Sequence, residues 1–302
     1  MTKILFVFLI CIVPAISCNT ANKNPSGELY LATDFTPENS FTSGAEGPAV
    51  DKAGNLYAVN FSKEGTVGKI TPAGESSIFL ELKNGSIGNG IRFNKTGQMF
   101  IADYTNHNIL MADVQTREVN VFAHEPKMNQ PNDIAMDDAG TIYASDPNWK
   151  EGTGRIWRVN QDGTAVVLED NMGTTNGIEV SPGSKYLYVN ESVQRRVWVY
   201  DLSANGEISN KKLLITFDDF GMDGMRCDAE GNLYITRHGK GTVAKVSPEG
   251  KLMREIKLTG SKPSNIAFGG SDGKRAFVTL QDRSNIETFL VEAPGREWQI
   301  NK

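Results

Sequence analysis

Cysteine is scarce: there are three in 302 residues. Two of them, Cys11 and Cys18, fall in an N-terminal segment with export character. Cys227 is then the one thiol left, which excludes an intramolecular disulfide. A chain without that staple must be held by the size of its core. Cys227 lies in an alternating, strand-like stretch with no histidine beside it, so it is expected to be a buried, inert thiol rather than a nucleophile. Positive charge is also short. Lys and Arg total 31 against 36 Asp and Glu, a net charge of −5. A nucleic-acid protein normally needs a basic footprint, so that class is excluded. No apolar run reaches the ~18 residues of a spanning helix. The N-terminal run, Ile4 to Ile16, is broken by Pro14. What is present is glycine, 30 residues, with 39% hydrophobic and 22% charged residues. That is enough apolar material for a packed core. Glycine without a three-residue period excludes collagen and points to many tight turns between short strands.

The N-terminus reads as an export signal: Lys3, then the short apolar run, then small residues before a polar stretch. The segment Ala15-Ile16-Ser17-Cys18 resembles a bacterial lipobox with lipidation at Cys18, although Ala15 stands where Leu is usual. An ordinary signal peptide and an uncleaved anchor are the alternatives. The expected organisation is a signal peptide over 1–17, a flexible polar tether over 18–27 and a single domain over 28–302. The mature protein is then periplasmic or attached to the outer membrane, and touches a membrane only through its lipid.

From Glu28 onward the chain repeats. The stretches beginning at Glu46 (EGPAVDKAGNLYAVN), Asn89 (NGIRFNKTGQMFIAD), Asn132 (NDIAMDDAGTIYASD), Asn176 (NGIEVSPGSKYLYVN), Asp223 (DGMRCDAEGNLYITR) and Ser264 (SNIAFGGSDGKRAFVT) align. Their first residues are 43, 43, 44, 47 and 41 apart. No 3.6-residue period survives in any of them. Each copy has one grammar, seen in Ile91–Phe93, the turn Asn94–Gly97, Met99–Ala102, Ile109–Ala112 and Val119–Phe122. Four antiparallel strands in about 40–45 residues make one β-propeller blade. The fold class is therefore all-β, a six-bladed β-propeller. The sixth copy offers only three strands, Ile266–Phe268, Ala276–Thr279 and Ile286–Val291. Glu28–Phe35 has no other place and is expected to supply the fourth, closing the ring without a bare edge.

In a propeller the innermost strands surround a central axis. The residues opening the six copies, Glu46, Asn89, Asn132, Asn176, Asp223 and Ser264, are expected to converge there. All carry oxygen, two are carboxylates, and none is His or Cys. Buried carboxylates brought together repel unless a cation joins them. The donor set suits Ca²⁺, which takes roughly 6–8 oxygens in flexible geometry. Zn²⁺ and Cu²⁺ prefer nitrogen or sulfur; Mg²⁺, Mn²⁺ or Zn²⁺ remain as substitutes. The loops between second and third strands return to the same face. They carry Asn60 and Phe61, Asp103 and Tyr104, Asp146 and Trp149, Asn190 and Glu191, Arg237 and His238, and Gln281. The longest is expected over Asp146–Arg155. His107 and His124 are expected to be solvated loop residues, and Asp51, Asp137 and Asp228 to be turn residues on the opposite face.

These residues resemble a family. Glu46-Gly47-Pro48, Pro131-Asn132-Asp133, Asn176-Gly177, Asp223-Gly224 and Asn265-Ile266-Ala267-Phe268-Gly269-Gly270 are similar to the senescence marker protein/gluconolactonase (regucalcin-like) family of calcium-dependent six-bladed propellers. The resemblance spans about Glu28 to Glu292. It implies Glu46, Asn132, Asn176 and Asp223 as metal ligands, with Asp223 also the candidate general base. Two positions depart from the family pattern: Gln130 stands where Arg is frequent, and Tyr104 where His is frequent. The expected activity is hydrolysis of a lactone or related ester, the small-molecule substrate being oriented by Gln130, Tyr104, Trp149, His238 and Asn89. The alternatives are a non-catalytic propeller binding a sugar acid or a protein partner, with Ca²⁺ as a pin, and phosphotriester hydrolysis on the same ring.

Overall fold

The structure is a computed structural model that describes Met1 and residues 27–302. The expected signal segment, the lipidation site Cys18 and nearly all of the tether lie outside the described residues.

Six four-stranded antiparallel sheets form the blades. Blade 1 runs Phe41–Val50, Leu56–Phe61, Thr66–Ile70 and Ser76–Glu81. Blades 2 to 5 repeat that order, their innermost strands being Gly88–Phe93, Ile134–Met136, Thr175–Val180 and Met225–Cys227. Blade 6 takes Pro263–Gly269, Arg275–Leu280 and Asn285–Leu290 from the C-terminal end. Its outer strand comes from the N-terminal side, as the orphan segment required. That strand is shorter than expected: only Thr33–Asp34 pairs in regular register, with Thr33 opposite Thr288. Tyr30, at φ 67°, breaks the ladder, and single bonds continue it on either side, Tyr30 N–H to Leu290 O at 2.9 Å and Phe35 N–H to Ile286 O at 2.8 Å.

The core is divided among the blade interfaces. Six apolar clusters are found among the described residues, and each draws on two neighbouring blades. In the first, Tyr57, Val59 and Val67 of blade 1 meet Ile91, Met99 and Ile101 of blade 2. Alternation along each strand puts one face on the preceding blade and one on the next, so the ring is sheet packed on sheet throughout. Cys227 sits in the cluster between blades 4 and 5. It is fully buried, and burial pushes its thiol well above the usual range, as befits an inert residue.

The hairpin turns are set by side chains. Asp51 accepts from Asn55 N–H at 2.8 Å and from the Tyr57 hydroxyl at 3.0 Å. Asp137 does the same for Thr141 and Tyr143, and Asp228 holds Asn232. These three acids are thus turn residues.

One element has no counterpart in the sequence reading. A helical turn, α1 (Arg296–Ile300), closes the chain on the turn face. Arg296 donates to Met136 O at 3.0 Å and pairs with Asp138 at 2.7 Å. Asn301 donates to Phe93 O at 3.2 Å.

Candidate active site at the propeller axis

The first residues of the repeats reach the axis through a recurring irregularity. Strand pairing slips at Glu46 in blade 1, between Gly88 and Ile91 in blade 2, between Thr175 and Ile178 in blade 4 and between Pro263 and Ile266 in blade 6. Such bulges re-aim a side chain out of the sheet. In blades 3 and 5 the residue precedes the strand instead, at Asn132 and Asp223. The position that follows is glycine in four copies for a steric reason. A Cβ at Gly47, which has φ +57°, would lie 1.8 Å from Asn89 O of the next blade. A Cβ at Gly224 would lie 2.0 Å from the Asn265 side chain. Asp133 and Asn265, which replace glycine in the other two copies, fill the space their neighbours leave.

A cavity of about 450 Å³ opens at the axis. Glu46, Asn89, Asn132, Asn176 and Asp223 line its floor, and Tyr104, Trp149, His238 and Gln281 line its mouth. Of the proposed site residues described, only Gln130 does not line the cavity; its side chain, with that of Trp149, lies close to the Tyr104 hydroxyl and works against the burial that raises that group. These three residues form one unit across blades 2 and 3. Ser264 departs from the expected ring. It is fully buried and turned into the protein, its hydroxyl donating to Ala45 O at 2.7 Å, where blade 6 meets blade 1.

Several mouth residues are struts rather than lining. Asp103 accepts from Ser86 and Asn108. Asp146 accepts from Asn129 N–H and the Trp157 indole. Arg237 pairs with Asp219 and Glu255 and stacks on Phe217. Glu191 accepts from Gly173 N–H. Nor is Asp146–Arg155 a long loop. Strands continue to Asn148 and resume at Thr153, leaving Trp149 at the tip of a hairpin. Glu64 and Ser192, which also line the cavity, escaped the sequence reading; each follows a named loop residue within a few positions.

The electrostatics of the floor call for a cation. Burial is the first cause that raises Glu46, to about 7, and Asp133 nearby adds to it. Burial and then Glu46 hold Asp223 well above the carboxylate range. The Glu46 carboxylate accepts from Gly47 N–H at 2.5 Å and from Asn265 Nδ2 at 3.0 Å. Asn132 Oδ1 and Asn176 Oδ1 are buried without a hydrogen-bond partner. Two charged oxygen groups that cannot share a site comfortably, beside two orphaned amide oxygens, fit a hard divalent cation. Among the described residues no group of three or more His, Cys, Asp or Glu converges, so the donors here are carboxylates mixed with amides.

Beneath the floor lies a buried ionic network. Arg92 and Arg226 both pair with Asp133, each at 3.2 Å. Glu297 of α1 reaches Arg92 at 2.6 Å and Arg226 at 3.7 Å. Glu179 lies 3.9 Å from Arg92 and 3.7 Å from Arg296. Arg92, Arg226 and Arg296 thus face Asp133, Glu179 and Glu297, with Asp138 as a further partner of Arg296, so the guanidiniums below the site are all paired.

His238 is half-buried, its Nε2 3.2 Å from Gln281 Oε1, and burial lowers its pKa. His107 and His124 lie away from the axis, beside a larger depression of about 840 Å³ on the flank of the first two blades. His107 is part-buried rather than solvated. The depression's acids, Glu81 and Glu118, are exposed, so nothing there matches the convergence at the axis.

The family model for the SMP-30/Gluconolactonase/LRE-like region matches residues 17–282. The chain belongs to this family. It is 28% identical over 284 residues to a gluconolactonase from Zymomonas mobilis, covering 81% of this chain and 79% of the relative. It is 28% identical over 303 residues to a diisopropyl-fluorophosphatase from Loligo vulgaris, covering 88% and 93%. Among solved structures, the propeller superposes on a calcium-binding protein, regucalcin, from Agrobacterium tumefaciens with a TM-score of 0.76 at 22% identity, over 89% of this chain and 95% of that one. The likeness extends to the overall fold of that solved structure.

Proposed function

We propose that this family member is a metal-dependent hydrolase of a lactone or related ester. The carrying observation is the convergence of Glu46, Asn132, Asn176 and Asp223, with two amide oxygens left unpartnered, on the floor of an open cavity. The gluconolactonase relative supports the substrate class. Ca²⁺ is the best match to an all-oxygen donor set, with Mg²⁺ and Mn²⁺ next and Zn²⁺ less suited. Bound there, the cation would supply Lewis acidity toward the substrate carbonyl. The four side chains would hold it, and the open cavity would leave room for substrate and water.

Asp223 serves as general base. It takes a proton from the water that adds to the carbonyl carbon, and returns it to the ring oxygen as the C–O bond breaks, so that a hydroxy acid leaves. The Tyr104–Trp149–Gln130 unit and His238 orient the ring, and Asn89 presents its amide from the floor.

The experiment is hydrolysis of a panel of aldonolactones and simple lactones by chelated and Ca²⁺-reloaded protein. Metal-dependent turnover of at least one is expected. None on any would favour the alternative, a Ca²⁺-pinned propeller that binds a sugar acid or protein partner. A phosphotriester belongs in the panel because the Loligo relative, named for a fluorophosphate, matches nearly its whole length.

A further inference from the structure

We propose that the axial site selects uncharged lactones or esters bearing an apolar substituent, with Phe220 and Trp149 as the residues that read it. The proposal rests on the hydrolase reading above and narrows its substrate class.

Charge is the first observation. Glu46, Glu64 and Asp223 line the cavity, and no Lys or Arg does. A cation on the floor would offset Glu46 and Asp223 but leaves Glu64 at the exposed rim. Lys150 projects from the hairpin tip beside Trp149, outside the lining, and Lys262, the cation acting on His238, is countered there by Asp282. A phosphorylated, sulfonated or carboxylated substrate would find no guanidinium fork and would pass an acidic rim.

Apolar surface is the second. Trp149, Phe220 and Val193 are 41%, 50% and 63% exposed. Trp149 belongs to the cavity lining, and the other two lie next to it. Val193 follows the lining residue Ser192, and Phe220 packs on Gly239, whose Cβ position is 3.1 Å from the ring, next to the lining residue His238. Gly221 in turn sits against Ser192. Phe220 holds φ +42°, a conformation a bulky side chain rarely adopts. Trp149 at the mouth and Phe220 beside His238 thus offer apolar surface next to a polar floor, a combination suited to a ring held by its carbonyl and a chain held by its methylenes.

The test compares kcat/KM of the metal-loaded full chain on δ-valerolactone, δ-decalactone, which adds a five-carbon chain, and 6-phosphoglucono-δ-lactone. The order expected is δ-decalactone first and the phosphorylated lactone last. Phe220→Ala and Trp149→Ala should each lower the decalactone-to-valerolactone ratio on the order of 10-fold, and Phe220→Leu should restore most of it. Equal use of the first two lactones, or preference for the phosphorylated one, overturns the proposal while leaving hydrolysis intact. If no lactone is turned over, the hydrolase reading fails instead. Calorimetric titration with δ-decalactone and δ-valerolactone then decides the preference, and equal affinities refute it.

Discussion

Asn265 Nδ2 lies 3.0 Å from Glu46 Oε2 and donates to it across the junction of the last blade with the first. The amide is itself oriented, because Asn265 Oδ1 accepts from Arg226 at 3.1 Å. Glu46 is therefore held from behind by a chain that continues to Asp133. Second partners of this kind tune affinity by about 10–100-fold. Asn265→Ala should weaken Ca²⁺ binding by at least the lower figure, with less effect for Asn265→Gln. Calorimetry on both variants checks it, and unchanged affinity in Asn265→Ala would show that Glu46 needs no orienting partner.

The two floor carboxylates are not equivalent. Glu46→Gln keeps the shape but removes one charge, so metal affinity should drop and excess Ca²⁺ should restore much of the activity. Asp223→Asn also removes the proposed base. Its rate should stay about 10²–10⁴-fold down even when saturated with metal. Lactonase rates beside calcium-binding calorimetry separate the two. Recovery of the wild-type rate by saturated Asp223→Asn would make Asp223 a ligand only, with His238 the next base to test.

Metal binding should release protons. Glu46, raised to about 7, and Asp223, raised by burial and by Glu46, must ionise to bind. Affinity should climb as pH rises through the range in which these acids ionise, with proton release read from calorimetry in buffers of different ionisation enthalpy. Stability follows the opposite slope. These acids bind protons more tightly folded than unfolded, so the metal-free protein should lose stability as pH rises from about 4.5 to 7. Glu179, also raised to about 7 by burial, adds to the same window. Saturating Ca²⁺ should flatten the Glu46 and Asp223 part and leave that of Glu179. A melting temperature that rises across this window without metal would contradict the assignment.

The ring was legible because spacing carries it. A near-constant repeat interval and one homeless strand specify six blades and their closure, whatever the side chains do. The floor was legible because Asn-Gly and Asp-Gly recur at one register. The layer beneath it was not read, although it obeys the same register. Arg92, Glu179 and Arg226 each stand three residues after Asn89, Asn176 and Asp223. In a lone strand such residues look like the solvent face, and only the ring turns them inward. Five residues of α1 carry too little periodicity to announce a helix, and their worth lies in tertiary ion pairs. Tyr104, Trp149 and Gln130 are far enough apart in the chain that only packing makes them one unit.

Export is a separate proposal. Cys18→Ser should abolish incorporation of labelled palmitate in a bacterial host and release the propeller from the membrane fraction. Equal labelling of both forms would remove the lipid anchor. Residues 28–302 alone should then fold and bind metal as the full chain does.

The layer below the floor bears most on stability. Asp133 bridges Arg92 and Arg226 at 3.2 Å each, and all three side chains are essentially fully buried. Removing one member of such a group strands the charges it balanced, at a cost of about 3–5 kcal/mol, although replacing the whole group by apolar residues need cost little. Asp133→Asn preserves volume and some hydrogen bonding but leaves two guanidiniums with Glu297 and Glu179 alone. It should lose stability in that range. Glu297→Gln should lose less, because its side chain is 20% exposed and water screens the change. Urea denaturation at low salt measures both, with Ca²⁺ binding recorded in parallel. Because Arg226 also orients Asn265, Asp133→Asn should weaken metal binding as well as the fold. Loss of stability with unchanged affinity would confine the network to a structural role, and a loss below about 1 kcal/mol would mean the guanidiniums find other partners.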